Sequence, residues 1–397
     1  MALFGTDGIR GRFGEFLTTD LAERVSYAAG KLLPHRSQVI IGRDPRESGL
    51  LLERAITAGF TKAGHDVIHL GVIPTPGLAF LTLEPGIALG VMITASHNPA
   101  SDNGIKIFGH DGMKIPDQLE EEIETWVASS QEIPTPELSK LGTSKEDSTA
   151  IERYIAHLKS SIDVSLSGLN LVVDCAHGAA SLVAPRVLQE LGASVHVIGG
   201  APNGININEN VGSTHLDVLQ RTMSELNADL GIAHDNLGFH KKMAEVGISV
   251  EITNVGDRYV LERINERDLS LGGEQSGHII IRRLSTTGDG ILTALAILAL
   301  VKRNFISADS LANIFHNFPQ VLKNVAVTDK LKALADEEVK KEIAKAEDLL
   351  GTNGRILVRA SGTEDLMRVM AEAATMERAQ SIVESIADVL IKRFGIK

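Results

Sequence analysis

Residues 94–99 read Thr94-Ala95-Ser96-His97-Asn98-Pro99 and directly follow an apolar run from Ile87 to Ile93. The run predicts a buried strand, and the small, helix-breaking residues after it predict a loop. A serine alone is a weak nucleophile, but it serves phosphoryl transfer when a loop holds it and cations neutralise the phosphate. His97 and Lys106 are nearby candidates for that role, and Arg10 is a distant one. The alternative is an ordinary turn, because Ser, Asn and Pro are common turn residues.

Strand-like runs and helical patterns alternate on both sides of this loop. Residues 39–41 form one apolar run, residues 49–63 an amphipathic pattern, and residues 66–70 a second apolar run. This rhythm predicts an α/β fold with a largely parallel sheet covered by helices. Residues 133–148 are rich in Pro, Ser, Thr and charge, which makes them the best linker candidate.

The length of 397 residues exceeds what one core supports and suggests roughly two to four domains. After Pro319 the strand-like runs cluster with helices, which favours a small α+β layer over another parallel unit. The predicted domains are a first α/β domain over 1–150, a second over 151–235, a third and shortened one over 236–318, and a C-terminal domain over 319–397.

Composition excludes several classes of protein. A net charge of −12 argues against a general nucleic-acid binder, which normally has a basic face. The single cysteine, Cys175, lies in an apolar run and predicts a buried structural thiol. No apolar run is long enough to cross a bilayer and the N-terminus has no basic flank, so we expect a cytoplasmic protein with no membrane partner.

Two further segments place polar groups between glycines. Residues 4–11, FGTDGIRG, present Arg10 from a tight loop, and its donor fork suits a phosphate. Residues 272–278 gather Glu274, Ser276 and His278 before an apolar run, and these groups suit the hydroxyls or the amine of a sugar. A polar hairpin turn explains residues 272–278 equally well, and the residues alone do not decide between the two.

A fourth segment follows the apolar run 356–358 and combines guanidinium, hydroxyl and backbone N–H donors. These donors belong to Arg359, Ser361, Gly362 and Thr363, with Arg368 close behind. The combination favours a phosphate cradle over a solvated loop. Residues 286–290 precede an apolar helix and suit either a ligand contact or a helix cap, the commoner use of Thr and Asp at such a position.

In order and in relative position, these motifs resemble the α-D-phosphohexomutase superfamily. The serine segment marks the superfamily, whereas residues 274–278 together with the opening motif point to its glucosamine branch. The matching segments are 4–11, 94–108, 272–278, 286–290 and 359–363, so the resemblance runs nearly end to end.

The resemblance implies four domains around one cleft and a phosphorylated Ser96. The phosphoryl group would pass through a glucosamine 1,6-bisphosphate and interconvert glucosamine 6-phosphate and glucosamine 1-phosphate for cell-wall precursors. Catalysis would fall to Ser96, Arg10, His97 and Lys106. Ring binding would fall to Glu274, Ser276 and His278, and phosphate binding to Arg359, Ser361, Gly362, Thr363 and Arg368. The implied partner is a small sugar phosphate, and homodimer formation stays open.

One departure from the superfamily concerns the metal. The superfamily carries an Asp-Gly-Asp-Gly-Asp-Arg loop whose three carboxylates bind Mg²⁺ together with the phosphoserine. Here Asp235 matches the first aspartate, and the chain continues with Asn236-Leu237-Gly238. The rest of that loop and a strand–helix–strand element of ~30 residues or more are missing, which predicts an internal deletion after Asp235. Ser96 and Asp235 alone would hold Mg²⁺ weakly.

Three alternatives therefore stay open beside an active glucosamine-phosphate mutase. The chain could be a sugar-phosphate binder that has lost catalysis with the metal loop. It could act on glucose or mannose phosphates, because ring contacts are shared across the superfamily. It could also be a deleted form of a working gene with no selected role.

Overall fold

The structure is a computed structural model. It describes residues 3–5, 8–129, 131–212, 215, 217–226, 251, 253, 257–273, 279–304, 319–351, 354–361 and 366–395. The chain divides into two compact units. The first comprises Met1–Asp235 and Thr253–Ala308, and the second comprises Asn236–Ile252 and Asp309–Lys397. The sequence also predicts a strand at residues 229–233, which lie outside the described part of the chain.

The first sheet of unit 1 has six strands in the order β1-β5-β4-β2-β3-β6. They are β1 (Ile9–Arg12), β2 (Gln38–Arg43), β3 (Asp66–Val72), β4 (Ile87–Ile93), β5 (Asp102–Gly109) and β6 (Ser144–Glu146). Its helices are α1 (Thr19–Lys31), α2 (Gly49–Lys62), α3 (Thr75–Thr82) and α4 (Asp117–Ala128).

Alternate residues of β2 enter different cores. Val39 and Ile41 belong to the cluster that contains Leu52 and Phe60 of α2. Ile40, between them, belongs to a second cluster with Leu78 of α3. Because successive strand side chains point to opposite faces, the sheet is covered by helices on both sides, as the sequence predicts.

The expectation of a largely parallel sheet holds only for part of it. Strand β2 pairs in parallel with β3 and β4, and β3 with β6, but β4–β5 and β5–β1 are antiparallel. The connection between β4 and β5 is residues 94–101, which we call the serine loop. A connection this short is a hairpin, because a parallel pair needs a crossover of roughly a dozen residues or more.

The predicted linker at 133–148 also contains a strand. Strand β6 adds to the edge of the first sheet beside β3, and its three side chains are exposed. Backbone hydrogen bonds hold such a strand, so its sequence shows no apolar pattern. Asp66 fixes its start by accepting hydrogen bonds from the N–H and the hydroxyl of Thr143, at 2.7 and 2.8 Å.

The other described residues of unit 1 form two small sheets. Strands β7 (Asn170–Asp174) and β8 (Ser194–Ile198) are parallel, and β9 (Leu271–Gly273) and β10 (Ile279–Ile281) are antiparallel. The helices are α5 (Ala150–Ser160), α6 (Ala184–Glu190), α7 (Asp217–Leu226), α8 (Asp257–Arg267) and α9 (Gly290–Asn304). Leu292, Leu295 and Leu298 of α9 share one core with Tyr154 and Leu171. Helix α9 is therefore buried against the region of α5 and β7.

Unit 2 forms the small α+β layer that the sequence predicts after Pro319. Three strands in its described residues are antiparallel in the order β11-β13-β12, with β11 (Gln320–Ala326), β12 (Gly354–Ala360) and β13 (Leu366–Ala373). Its helices are α10 (Lys330–Ala335), α11 (Glu337–Leu350) and α12 (Met376–Phe394), which close one core with the sheet. Among the described residues, no helix is both long and apolar enough to traverse a bilayer.

Residues 286–290 form a helix cap, the commoner of the two expected uses. Asp289 is 2% exposed, and its Oδ1 accepts hydrogen bonds from the N–H groups of Ile291 and Leu292 at 2.9 and 3.0 Å. Its Oδ2 accepts a hydrogen bond from the Tyr154 hydroxyl at 2.7 Å. Burial raises the pKa of the Asp289 carboxyl. One carboxyl group therefore starts α9 and joins it to α5.

We expect Asp289→Ala to lower the free energy of unfolding by about 2–4 kcal/mol, because it removes a cap and leaves the buried Tyr154 hydroxyl unpaired. Thr18→Ala is the matched control, since Thr18 caps α1 by accepting only from the Leu21 N–H. The control should lose only about 1 kcal/mol. Urea denaturation measures both values, and equal losses would show that the Tyr154 contact adds nothing.

Candidate active site

The serine loop holds Ser96 in an unusual backbone conformation. Ser96 has φ of 54°, the left-handed region that costs a residue with a Cβ roughly 1–2 kcal/mol. Its N–H donates to Thr94 Oγ1 at 3.0 Å, and the Asn98 N–H donates to the Ala95 carbonyl at 3.1 Å. Ser96 is partly exposed and His97 is exposed. The loop thus presents its serine at the surface of unit 1 on a constrained backbone.

A buried guanidinium binds the backbone carbonyls of the serine loop. Arg46 is 1% exposed, and its Nη2 donates to the carbonyls of Ser96 and Asn98 at 2.9 and 3.0 Å. Its Nη1 donates to the carbonyls of Pro99 and Asp102, the latter at 2.9 Å. With Nε bound to a carboxylate, all five N–H donors of the fork have acceptors. A lysine could not reproduce this arrangement.

Asp44 completes the support of the loop. Its Oδ2 accepts hydrogen bonds from Arg46 Nε at 2.9 Å and from the Thr94 hydroxyl at 2.6 Å. Its Oδ1 accepts from the Arg46 N–H at 3.1 Å. Asp44 is 4% exposed, so the pair is desolvated and each member depends on the other. Apart from a Gly-Arg-Asp-Pro-Arg segment at the end of an apolar run, no sequence pattern indicates this role.

A third donor comes from much later in the chain. Asn208 Nδ2 donates to the carbonyl oxygens of Ser96 and Asn98, at 2.9 and 3.1 Å. These are the same two oxygens that Arg46 Nη2 contacts. Sequence reasoning missed Asn208, because no local pattern marks a contact across more than a hundred residues.

The structure places Arg10 and Lys106 beside the serine loop. Arg10 pairs with Gly104 across β1 and β5, and Lys106 lies two residues further along β5. Paired residues and those two apart share a face of the sheet, so both cations lie on one face. Lys106 is 6% exposed, whereas Arg10 is partly exposed.

The glycine of the opening motif at position 8 is required by this packing. Gly8 has φ of 82°, and a Cβ there would lie 2.4 Å from the Ile105 carbonyl oxygen and 3.2 Å from Lys106 Cγ. Only glycine lets the segment that carries Arg10 approach β5 this closely. The opening motif and the serine loop therefore belong to one structural region.

In unit 2, Arg359 and Arg368 are direct cross-strand partners on β12 and β13. Like charges directly opposite each other are destabilising, and an anion between them removes that cost. Ser361 is 3% exposed, and its carbonyl accepts a hydrogen bond from Lys330 Nζ at 3.1 Å. Lys330 is a third cation in this region, which sequence reasoning missed.

Several expected site residues lie outside the described part of the chain. They are Asp235, Glu274, Ser276, His278, Gly362 and Thr363. The structure describes Ser96, Arg10, His97 and Lys106 in unit 1 and Arg359, Ser361 and Arg368 in unit 2.

The donor set that a magnesium site needs is missing from the described residues. They contain no group of three or more His, Cys, Asp or Glu side chains that could hold an ion. Near Ser96, Asp44 is committed to Arg46 and Thr94, and Asp102 Oδ2 accepts from Asn98 Nδ2 at 2.9 Å. The described residues therefore do not fit a metal held by several carboxylates.

Cys175 is the buried structural thiol that the sequence predicts. Burial, with a smaller contribution from neighbouring Asp174, raises the pKa of the thiol to about 12. A thiol with this pKa is not a nucleophile at neutral pH.

We expect Arg46→Met to lower the free energy of unfolding of unit 1 by about 3–5 kcal/mol, because the Asp44 carboxylate would stay buried without its partner. Arg12→Met is the control, since Arg12 pairs only with Glu15 at the surface and its side chain is 64% exposed. The control should change stability by less than about 0.5 kcal/mol. Chemical denaturation gives both values, and a stable Arg46→Met protein would contradict the role assigned to the pair.

Four family models match the chain. They are described as phosphoglucomutase/phosphomannomutase domains: domain I over residues 1–134, domain II over 152–236, domain III over 218–320 and the C-terminal domain over 322–389.

Curated relatives match over nearly the whole chain. Phosphoglucosamine mutase of Thermobifida fusca is 43% identical over 446 aligned positions, which cover 99% of each chain. The enzyme of the same name from Geobacillus thermodenitrificans is 43% identical, again over 99% of each chain.

Solved structures share the fold at low identity. A phosphoglucomutase/phosphomannomutase family protein of Burkholderia thailandensis superposes with a TM-score of 0.78 at 22% identity, covering 98% of this chain and 97% of that one. Parafusin, a phosphoglucomutase of Paramecium, superposes with a TM-score of 0.73 at 16% identity, covering 100% and 96%. The architecture is thus three related α/β domains followed by a C-terminal domain. The chain belongs to the phosphoglucosamine mutase family, within the four-domain phosphoglucomutase/phosphomannomutase group.

Proposed function

We propose that the protein is an isomerase that interconverts glucosamine 6-phosphate and glucosamine 1-phosphate by phosphoryl transfer through Ser96. The observation that carries the proposal is the serine loop. Ser96 is partly exposed on a left-handed backbone, and Arg46 and Asn208 hold its carbonyl. A residue kept in a costly conformation by several partners is typical of a functional site. The names of the relatives supply the substrate.

Each half-reaction exchanges one P–O bond for another. The bond between phosphorus and Ser96 Oγ breaks as a sugar hydroxyl oxygen bonds to phosphorus. The hydroxyl proton leaves to a base, and the serine oxygen regains a proton when it is released. The bisphosphate then turns round and returns its other phosphoryl group to Ser96. The protein therefore has to position the reacting groups, stabilise the transferring charge and supply the base.

We assign the charge stabilisation to Arg10 and the proton transfer to Lys106. Arg10 would hold oxygens of the transferring phosphoryl group, because a guanidinium fork matches their geometry. Lys106, on the same sheet face, would act as an uncharged amine that takes the proton from the sugar hydroxyl. His97, which is exposed on the loop itself, would contact the phosphate from the solvent side.

We assign substrate binding to two groups of residues. Arg359, Ser361, Gly362, Thr363 and Arg368 would hold the phosphate that is not reacting, and Glu274, Ser276 and His278 would hold the sugar ring. The cross-strand pairing of Arg359 and Arg368 supports the first assignment.

The domain boundaries at 150/151, 235/236 and 318/319 remain our prediction. We also predict a cytoplasmic location, and a homodimer remains an option.

The described residues do not provide the carboxylates that a magnesium site of the superfamily needs. Enzymes of the superfamily use Mg²⁺ to neutralise the phosphoryl group, which here would leave Ser96 and Asp235 as its protein ligands. A deletion located after Asp235 remains our proposal, based on the sequence that follows this residue. The alignment to the Thermobifida fusca relative extends over 446 positions, whereas this chain has 397 residues, so part of the relative has no counterpart here.

The missing carboxylates favour a second candidate function. Without the ion, the developing charge loses a stabilisation worth several kcal/mol, so turnover would fall by orders of magnitude. The chain would then be a sugar-phosphate binder that still accepts a phosphoryl group slowly or not at all. Glucose and mannose phosphates stay alternative substrates for either function, since the group as a whole includes phosphoglucomutases and phosphomannomutases.

We expect the purified protein, given Mg²⁺, glucosamine 6-phosphate and the 1,6-bisphosphate, to form glucosamine 1-phosphate. Ser96→Ala should lower that rate by at least about 10³-fold, because the nucleophile is lost. Ser101→Ala is the matched control, an exposed serine in the same loop, and it should keep the wild-type rate. Equal product formation by wild type and Ser96→Ala would reject the mutase. Binding of the sugar phosphate without turnover would favour the second candidate.

We expect Arg359→Met to weaken binding of glucosamine 6-phosphate about 10- to 100-fold, since a charge-assisted hydrogen bond contributes roughly 1.5–3 kcal/mol. Lys340→Met is the control, because Lys340 is an exposed cation of unit 2 that pairs with Glu337. Isothermal calorimetry measures both affinities. Unchanged affinity in Arg359→Met would remove the phosphate cradle from the account without affecting Ser96.

A further inference from the structure

The loop that carries Asn208 is held in one shape by its own contacts. We call residues 199–212 the asparagine loop. The Asn208 N–H donates to the Ala176 carbonyl at 2.8 Å. Asp174, at the end of β7, accepts from the Ala176 N–H through Oδ1 and from the Gly212 N–H through Oδ2, both at 2.8 Å. One carboxylate thus connects the turn after β7 to the end of the asparagine loop.

Left-handed backbone is concentrated where these two segments meet. Asn208 and Asn210 have φ of 62° and 56°, and Ala176 and His177 have φ of 51° and 49°. Asparagine tolerates this conformation better than most residues, but alanine and histidine do not. Each such residue costs roughly 1–2 kcal/mol, and such strain accumulates at functional sites. The shape of this region therefore serves something other than stability.

This backbone shape places the Asn208 side chain against two carbonyl oxygens of the serine loop. An amide that faces two carbonyl oxygens can only donate, so Asn208 supplies both of its N–H groups to the serine loop. Together with Arg46 Nη2, it gives the carbonyls of Ser96 and Asn98 two hydrogen bonds each. Both lone pairs of each oxygen are then used.

These contacts matter for a negatively charged serine. A carbonyl oxygen carries partial negative charge and would repel a phosphate on the neighbouring hydroxyl. N–H donors that occupy both lone pairs oppose that repulsion and fix the peptide units from which the serine projects. Asn208 lies in the region matched to domain II and the serine loop in domain I, so the support crosses from one domain to the next.

We propose that Asn208 is a positioning residue for phosphoryl transfer at Ser96. It touches no reacting atom, and it acts by holding the Ser96 and Asn98 carbonyls against Arg46. This inference rests on the proposed function for its kinetic consequence. The contact itself can be measured whether or not the protein turns over.

The test compares three variants with wild type. Asn208→Gly removes the amide and leaves a residue that adopts left-handed backbone freely. Asn208→Asp keeps the size of the side chain but replaces the donor with an oxygen that repels the two carbonyls. Asn210→Gly is the matched control, because Asn210 is an exposed, left-handed asparagine in the same loop.

Two measurements are made on each protein. Hydrogen–deuterium exchange over residues 94–101 reports how well the backbone amides of the serine loop are protected, and it does not require an active protein. The rate of Ser96 phosphorylation by glucosamine 1,6-bisphosphate, with kcat and KM where turnover is found, reports positioning. We expect both Asn208 variants to exchange faster in the serine loop. We also expect phosphorylation and kcat to fall about 10- to 100-fold, the effect of a displacement of about 1 Å, with KM nearly unchanged.

The outcomes separate the possible roles of Asn208. Wild-type exchange and phosphorylation in Asn208→Gly would overturn the proposal, and so would normal rates in Asn208→Asp, which would show that the side chain only fills space. A general rise in exchange across unit 1, with a lower midpoint of unfolding, would also overturn it in favour of a structural role. If wild type takes no phosphoryl group but Asn208→Gly still exchanges faster only at 94–101, the proposed function fails and the positioning contact stands.

Discussion

The buried ion pair between Arg46 and Asp44 is the interaction on which the serine loop depends. Two charges removed from water stabilise a protein only when their geometry is good and their remaining donors are satisfied. Here the remaining donors of Arg46 go to four carbonyls of one short segment, and Asp44 also accepts from Thr94. The hydrogen bonds that compensate for burying the pair are thus the same bonds that fix the backbone around Ser96.

This arrangement separates the support of the nucleophile from the rest of the catalytic apparatus. Side-chain hydrogen bonds to the serine loop come from Asp44, Arg46, Asp102 and Asn208. Backbone hydrogen bonds join the loop to Phe13 and Gly104. All of these lie before Asp235, where the sequence departs from the superfamily. The deletion that we infer would therefore remove ligands of the metal while leaving the serine loop intact. Acceptance of a phosphoryl group and rapid turnover become separable properties of this chain.

Much of the fold could be predicted from the sequence, because buried strands and amphipathic helices leave local patterns. Strands β2, β3 and β4 fall where apolar runs predict them. Strand β6 was missed because its side chains are exposed and only its backbone pairs. Ser96 was found because its segment is distinctive, whereas Asn208 was missed because it contacts that segment from 112 positions away. The burial of Arg46 could not be predicted, because nothing in the polar Gly-Arg-Asp-Pro-Arg segment indicates it.

The most direct test of the account is to locate phosphate on the protein. The purified chain is incubated with glucosamine 1,6-bisphosphate, and its mass is measured intact and after digestion. If the serine loop is a phosphoryl acceptor, one phosphate is added per chain, and it maps to Ser96 rather than to Ser101 in the same loop. An unmodified chain, or a phosphate on a serine outside residues 94–101, would contradict the account.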